Sequence, residues 1–114
     1  GRQTRDFTYV ANAASAVVAA LNCIDQRAFG SVFNVAYGKS TDVLNLIDRL
    51  KTQLAKSNPA VTATGVEHAP DRAGDVRASL ADITRSREVL GWAPTVDLDA
   101  GLSHAVPWYA AHWG

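Results

Sequence analysis

The stretch Asn12–Ala36, NAASAVVAALNCIDQRAFGSVFNVA, decides the fold class. In its first half Ala14, Val17, Val18, Leu21 and Ile24 fall at helical spacing, with small alanines crowding the other positions. That spacing predicts a helix suited to close packing on two sides, with Asn12 as its N-cap. Gly30 punctuates, and Ser31–Ala36 follows as a short, mostly apolar run. Such a run fits a strand covered on both faces, as in a parallel sheet. A helix feeding a strand of that kind belongs to an α/β arrangement.

Working outward, Thr4–Val10 reads as a strand with Phe7 and Tyr9 on one face and Thr8 and Val10 on the other. Beyond Ala36, the turn Tyr37-Gly38-Lys39-Ser40-Thr41 leads to a second helix. Ser40 or Thr41 is expected to cap it, and Asp42 sits in its first turn. Val43, Ile47, Leu50 and Leu54 mark one apolar stripe, which ends at Ser57-Asn58-Pro59. Val61–Glu67 is expected as a third strand, and Ala69–Asp75 is rich in turn formers. Asp82 can cap a short helix through Ile83, Val89 and Leu90, with Gly91 as its stop. Pro94 separates it from a last helix in which Leu98, Leu102, Ala105, Val106, Tyr109 and Trp113 share a face. Pro107 lies inside that helix, where it removes a backbone bond at a cost of about 3 kcal/mol, so a kink is expected near Ser103. The sum is one small α/β domain, residues 1–114, of about four helices and three short strands. The strands are too few to close a proper sheet, which marks the chain as part of something larger.

Charge and composition narrow the function classes. Eleven lysines and arginines balance eleven aspartates and glutamates, so no net field draws nucleic acid or an anionic membrane, and any anion site must be local. At 47% hydrophobic residues the chain can bury a core. Cys23 is the single cysteine, so no internal disulfide forms and a cytoplasmic location is the default. No apolar stretch approaches the ~20 residues of a membrane span. The chain begins at Gly1 and contains no methionine, so its natural start is expected to lie outside the residues given.

Three candidate constellations fail on spacing. Gly38-Lys39-Ser40 resembles the tail of a phosphate-binding loop, but the position five residues before Gly38, where that loop needs glycine, is Phe33. His104 and His112 stand eight residues apart with no cysteine or carboxylate at ligand spacing, so no metal is expected. No serine sits on a Gly-x-Ser-x-Gly elbow. Two arginine-bearing segments remain. Arg5 opens a strand beside Asp6, and Arg72 lies in a Gly/Pro loop ahead of Asp75 and Arg77. Two guanidinium forks from separate loops could clamp a pyrophosphate, with an aspartate beside them to take ribose hydroxyls. The competing reading gives both arginines ordinary salt bridges, Arg5 with Asp6 and Arg72 with Asp71 or Asp75. Chemistry alone leaves the two open.

Six segments in order resemble the extended short-chain dehydrogenase/reductase family, in particular its sugar-nucleotide 4-epimerases and dehydratases. They are Gln3–Val10, Val32–Ala36, Arg72–Arg77, Ala81–Ile83, Leu90–Pro94, and Gly101-Leu102 leading to Pro107-Trp108-Tyr109. The endings Gly74–Ser79 and Val106–Tyr109 are most similar to the UDP-N-acetylglucosamine 4-epimerase branch. The resemblance implies the C-terminal, substrate-binding part of a Rossmann-type epimerase, without its dinucleotide-binding half. It also implies that Arg5 and Arg72 contact the diphosphate of a UDP-sugar, that Asp75 bonds the ribose, and that Phe7 lines the nucleotide pocket. NAD would belong to the parent enzyme and not to this chain. The chain has no Gly-x-x-Gly-x-x-Gly after an opening strand and no Tyr-x-x-x-Lys pair, so no catalytic residue is assigned. It departs from the family at Ala11-Asn12, where an acidic pair is usual.

The expected partners are a UDP-sugar and either a second copy of the chain or the missing cofactor-binding half. The resemblance places the apolar faces of the first helix and of Val32–Ala36 against that half. Three readings follow: a fragment of a full epimerase, a free-standing UDP-sugar binder, or a self-associating module that binds no nucleotide.

Overall fold

A computed structural model describes residues 1–70 and 72–112. It is α/β, with four α-helices and a two-stranded sheet. In order, β1 (Thr4–Arg5) precedes α1 (Val10–Asn22) and a 3-10 turn at Gln26–Ala28. Then come β2 (Thr41–Asp42), α2 (Val43–Leu54), a second 3-10 turn at Pro59–Ala63, α3 (Thr84–Leu90) and α4 (Leu98–His112). β1 and β2 pair antiparallel, Thr4 opposite Asp42 and Arg5 opposite Thr41. On the other side of Thr4 runs the segment Arg77–Ser79, parallel, through Thr4 N–H to the Arg77 carbonyl at 2.8 Å and Ser79 N–H to the Thr4 carbonyl at 3.1 Å. Thr4 is thus the centre of three short backbone segments.

Four helices form where the apolar spacing places them, but the strands do not. Thr4–Val10 pairs only over Thr4–Arg5, and helix α1 already begins at Val10. Ser31–Ala36 makes no ladder pairing and bends at Ala36, and Val61–Glu67 opens as the 3-10 turn that Asn58 and Pro59 start. A strand needs a neighbour, and among the described residues neither run has one. The partner strand of Thr4–Arg5, Thr41–Asp42, lies where the end of a turn and the start of a helix were expected.

The helix caps shift in the same local way. Asn12 does not cap α1, because the helix begins two residues earlier and Asn12 is buried inside it, 1% exposed. Its amide Nδ2 donates to the Val96 carbonyl at 2.7 Å, and its Oδ1 accepts from the N–H groups of Thr95 and Val96, both at 3.0 Å. Asp42, not Ser40 or Thr41, caps α2 by accepting from Asn45 N–H at 2.8 Å. Asp82 accepts from Thr84 N–H at 2.9 Å ahead of α3. The Thr84 hydrogen bonds hold its carboxyl below the usual range, a contribution present at neutral pH and lost as pH falls through that lowered value. Gly91 ends α3 in the left-handed conformation, φ 63°. Helix α4 runs as one element through Pro107 to His112. Trp113, assigned to its apolar face, lies outside the described residues.

The core is small. Ala16 from α1, Ala36, Ile83, Val89, Trp92 and Val106 are its buried apolar residues. α1 packs on α3 and α2 packs on α4. Gly101 of α4 meets Tyr9 so closely that an added Cβ would stand 3.0 Å from the Tyr9 Cβ. Trp92 Nε1 donates to Ser15 Oγ at 2.8 Å, and Ser15 Oγ donates to the Asn12 carbonyl at 2.8 Å. A chain of hydrogen bonds therefore runs from the turn after α3 through α1 to the turn before α4. The stripe Ala14, Val17, Val18, Leu21 and Ile24 is exposed throughout, so α1 turns its alanine side inward.

Candidate functional site

The candidate residues gather around β1. Arg5 Nη1 donates to the Thr4 carbonyl at 2.8 Å, and Nη2 meets Asp75 Oδ1 at 2.5 Å. Asp75 is brought there by the loop it ends. Its N–H closes a turn onto the Arg72 carbonyl at 3.2 Å, Gly74 takes the positive φ of 80° that the turn requires, and the following residues run alongside Thr4. The structure thus joins Arg5 and Asp75, 70 residues apart in sequence, and carries Arg72 on the same turn.

The Arg5–Asp6 salt bridge of the competing reading does not form; Arg5 pairs with Asp75. Neighbouring residues on extended backbone point to opposite sides, so Asp6 faces away from the Arg5 guanidinium. The Asp6 carboxylate instead accepts from Tyr37 N–H at 3.1 Å, Gly38 N–H at 3.0 and 3.2 Å, and Ala81 N–H at 3.4 Å. Gly38 has φ 79°, and a Cβ there would come within 3.0 Å of Ile83, so only glycine turns its N–H onto Asp6 so tightly. Asp6 therefore fixes the backbone that presents Arg5. Sequence reasoning missed this role; the faint signal was a strand-end aspartate and a glycine turn 32 residues on. For Arg72, the Asp71 alternative lies outside the described residues. With Asp75 the contact is from backbone to backbone, and no salt bridge joins the two side chains.

Phe7 goes elsewhere. It lines an apolar cavity of about 280 Å3 with Tyr9, Leu46, Leu50 and Leu102, and a polar one of about 180 Å3 with Tyr37, Lys39 and Arg49. Neither is lined by Arg5, Arg72 or Asp75. In the polar cavity Arg49 is paired with Asp99 at 2.5 Å, which neutralises its charge. Two of the three histidines, His104 and His112, serve as ring partners. His104 lies 5.9 Å from the Tyr9 ring, and His112 stacks on Trp108 at 4.4 Å. Among the described residues no group of three potential metal ligands lies together. Nor is any helix long and apolar enough to cross a membrane.

The chain matches the family described as GDP-mannose 4,6 dehydratase over residues 1–105. It is 36% identical to a UDP-glucose 4-epimerase of Mycolicibacterium smegmatis, over 96% of this chain and 32% of that protein. It is 27% identical to a UDP-glucuronate 4-epimerase of Thermodesulfobacterium geofontis, over 95% of this chain and 31% of the relative. Among solved structures, UDP-glucose 4-epimerase of Thermotoga maritima with UDP-glucose superposes with a TM-score of 0.84 at 32% identity, covering 100% of this chain and 34% of that one. A UDP-glucuronic acid 4-epimerase of Bacillus cereus, in complex with UDP-glucuronic acid and NAD, gives a TM-score of 0.83 at 25% identity, over 99% and 34% of the two chains. The chain spans about a third of the length of the curated relatives it matches.

Proposed function

The chain belongs to the GDP-mannose 4,6 dehydratase family, and on that premise we propose that it is the UDP-sugar-binding portion of an NAD-dependent 4-epimerase, inactive alone. Residues 1–114 act as one substrate-holding domain in this reading, and its setting is the cytoplasm. The observation that carries it is the meeting of Arg5 with Asp75 on the turn that also bears Arg72. Planar guanidinium groups match phosphate oxygens two at a time, so Arg5 and Arg72 hold the diphosphate from β1 and from the loop. Asp75 keeps Arg5 in place through Oδ1 and offers Oδ2 to a ribose hydroxyl. Phe7 follows on the same segment and closes the nucleotide side in this reading, although neither cavity it lines includes the two arginines. The sugar is a UDP-N-acetylhexosamine in this reading, on the similarity of Gly74–Ser79 and Val106–Tyr109 to that branch.

The residues present do not fit a dinucleotide. No glycine-rich turn joins a strand to a helix with the spacing that admits a pyrophosphate. Tyr9 is packed on Gly101 and His104, and none of Tyr9, Tyr37 and Tyr109 has a lysine four residues on. NAD and the proton-moving pair therefore come from the remainder of an epimerase, which supplies the hydride chemistry. UDP alone is expected to bind weakly here, because a site with missing walls is not preorganised. Arg72→Ala should cost about 1.5–3 kcal/mol of that binding, the range for a hydrogen bond to a charged group. Calorimetric titration of the two proteins with UDP checks this. Equal affinity would return Arg72 to a solvated surface charge.

A further inference from the structure

Where the backbone pairing of β1 ends, a side chain takes over. β1 pairs with β2 and with Arg77–Ser79 only through Thr4 and Arg5, and Asp6 comes next. The Asp6 carboxylate then holds the chain just outside each of these two neighbours. Oδ1 accepts from Tyr37 N–H at 3.1 Å and Gly38 N–H at 3.2 Å, in the turn ahead of β2. Oδ2 accepts from Gly38 N–H at 3.0 Å and from Ala81 N–H at 3.4 Å, beyond Ser79. One carboxylate thus ties the residue beside Arg5 to both flanking segments, and all its hydrogen-bond partners lie within this chain. The second of those segments follows directly on the turn that carries Arg72 and Asp75. The Arg5–Asp75 pair cannot hold that segment by itself, since its side chains are 30% and 40% exposed and water competes for both ends. The Thr4 hydrogen bonds fix the segment at one place, and a segment held at one place can pivot. The bond from Ala81 to Asp6 supplies the second anchor, to a charged acceptor that binds an N–H more strongly than a carbonyl does.

We propose that Asp6 is a positioning residue of the nucleotide site. It touches no ligand, and by tying β1 to Ala81 it sets the gap between Arg5 and the turn that bears Arg72 and Asp75. A diphosphate gripped from two sides demands a fixed gap, because each guanidinium contact is planar and directional. The inference rests on the nucleotide reading above and adds to it a residue on the opposite side of the strand from the ligand.

Titration with UDP, followed by amide shifts, tests it on the parent chain, Asp6→Asn, Arg5→Ala and the double variant, each at a temperature where circular dichroism shows it folded. Asparagine keeps one acceptor oxygen for Tyr37 and Gly38 and turns its amide nitrogen toward Ala81, so the tie to the Asp75 side is cut while the other remains. The expected result is a UDP affinity about tenfold weaker in Asp6→Asn, the size of one charge-assisted hydrogen bond, and a double variant no weaker than Arg5→Ala alone. A residue that only supported the fold would lower the melting temperature and leave the affinity of the folded protein unchanged. An Asp6→Asn variant that binds UDP like the parent, or losses that multiply in the double variant, overturn the proposal. If Asp6→Asn does not fold, Gly38→Ala is read in the same way, since it leaves the carboxylate in place and displaces an N–H that the carboxylate holds. The nucleotide-free chain separates this proposal from the reading it rests on. There the Arg5 guanidinium resonances stand apart from those of a free arginine in the parent, and move to the free position in Asp6→Asn. A parent without affinity for UDP overturns the nucleotide reading, whereas Arg5 resonances unmoved by Asp6→Asn overturn the positioning role.

Discussion

Asn12→Ala should destabilise the chain more than any other single substitution on its polar residues, by about 3 kcal/mol. Asn12 is 1% exposed, and its amide makes three hydrogen bonds across 83 and 84 residues of sequence, to the turn that launches α4. Truncation deprives the N–H groups of Thr95 and Val96 and the Val96 carbonyl of a part-buried partner, and each such hydrogen bond contributes about 0.5–1.5 kcal/mol. With six buried apolar residues among the described ones to sustain the fold, that loss corresponds to a fall of roughly 12 °C or more in Tm. Asn12→Asp keeps both acceptor contacts and loses only the donor to Val96, so it should cost less. Thermal melts at one fixed protein concentration would show the order parent, Asp, Ala. A melt of the Ala variant superimposable on the parent would remove Asn12 from the account.

The second large effect is catalytic. The 114-residue chain should show no interconversion of UDP-hexoses, with or without NAD. Epimerisation at C4 needs a hydride acceptor and a group to move the hydroxyl proton, and the residues for both are missing from this sequence. Arg5, Arg72 and Asp75 are proposed to hold a substrate and supply neither of these functions. The measurement is a coupled assay on protein prepared from a host lacking its own epimerase. Turnover above the blank would mean that this chain builds a site outside the one described.

Much of the helical skeleton was legible because helices are local. The 3.6-residue spacing of Val43, Ile47, Leu50 and Leu54 marks α2, and Gly91 marks the end of α3. Strands depend on what lies beside them, and this is where the pattern misled. Val61–Glu67 alternates well enough for a strand, yet Asn58 and Pro59 start a 3-10 turn and no neighbour pulls it straight. The inward face of α1 depends on its partners too. Its larger residues mark an apolar side, but the contacts available within this chain fit only the alanines and Asn12. At the site, charge and loop composition raised Arg5, Arg72 and Asp75 as candidates, and their roles came only with the family resemblance. Their pairing was not legible, since Arg5 reaches Asp75 only because Thr4 lies between β2 and Arg77–Ser79. Asp6 was invisible as a support, because its partners are backbone groups that no side-chain pattern reveals.

The account stands on the claim that the Arg5–Asp75 pair and the Arg72 turn hold a nucleotide diphosphate. Amide resonances of the chain, followed as UDP is added to about ten times a millimolar Kd, test it most directly. The predicted result is a saturating set of shifts concentrated on Arg5, Phe7 and residues 72–75, absent with uridine and lost in Arg5→Ala. Saturating shifts confined to α1 or α4, or no shifts at all, would contradict it.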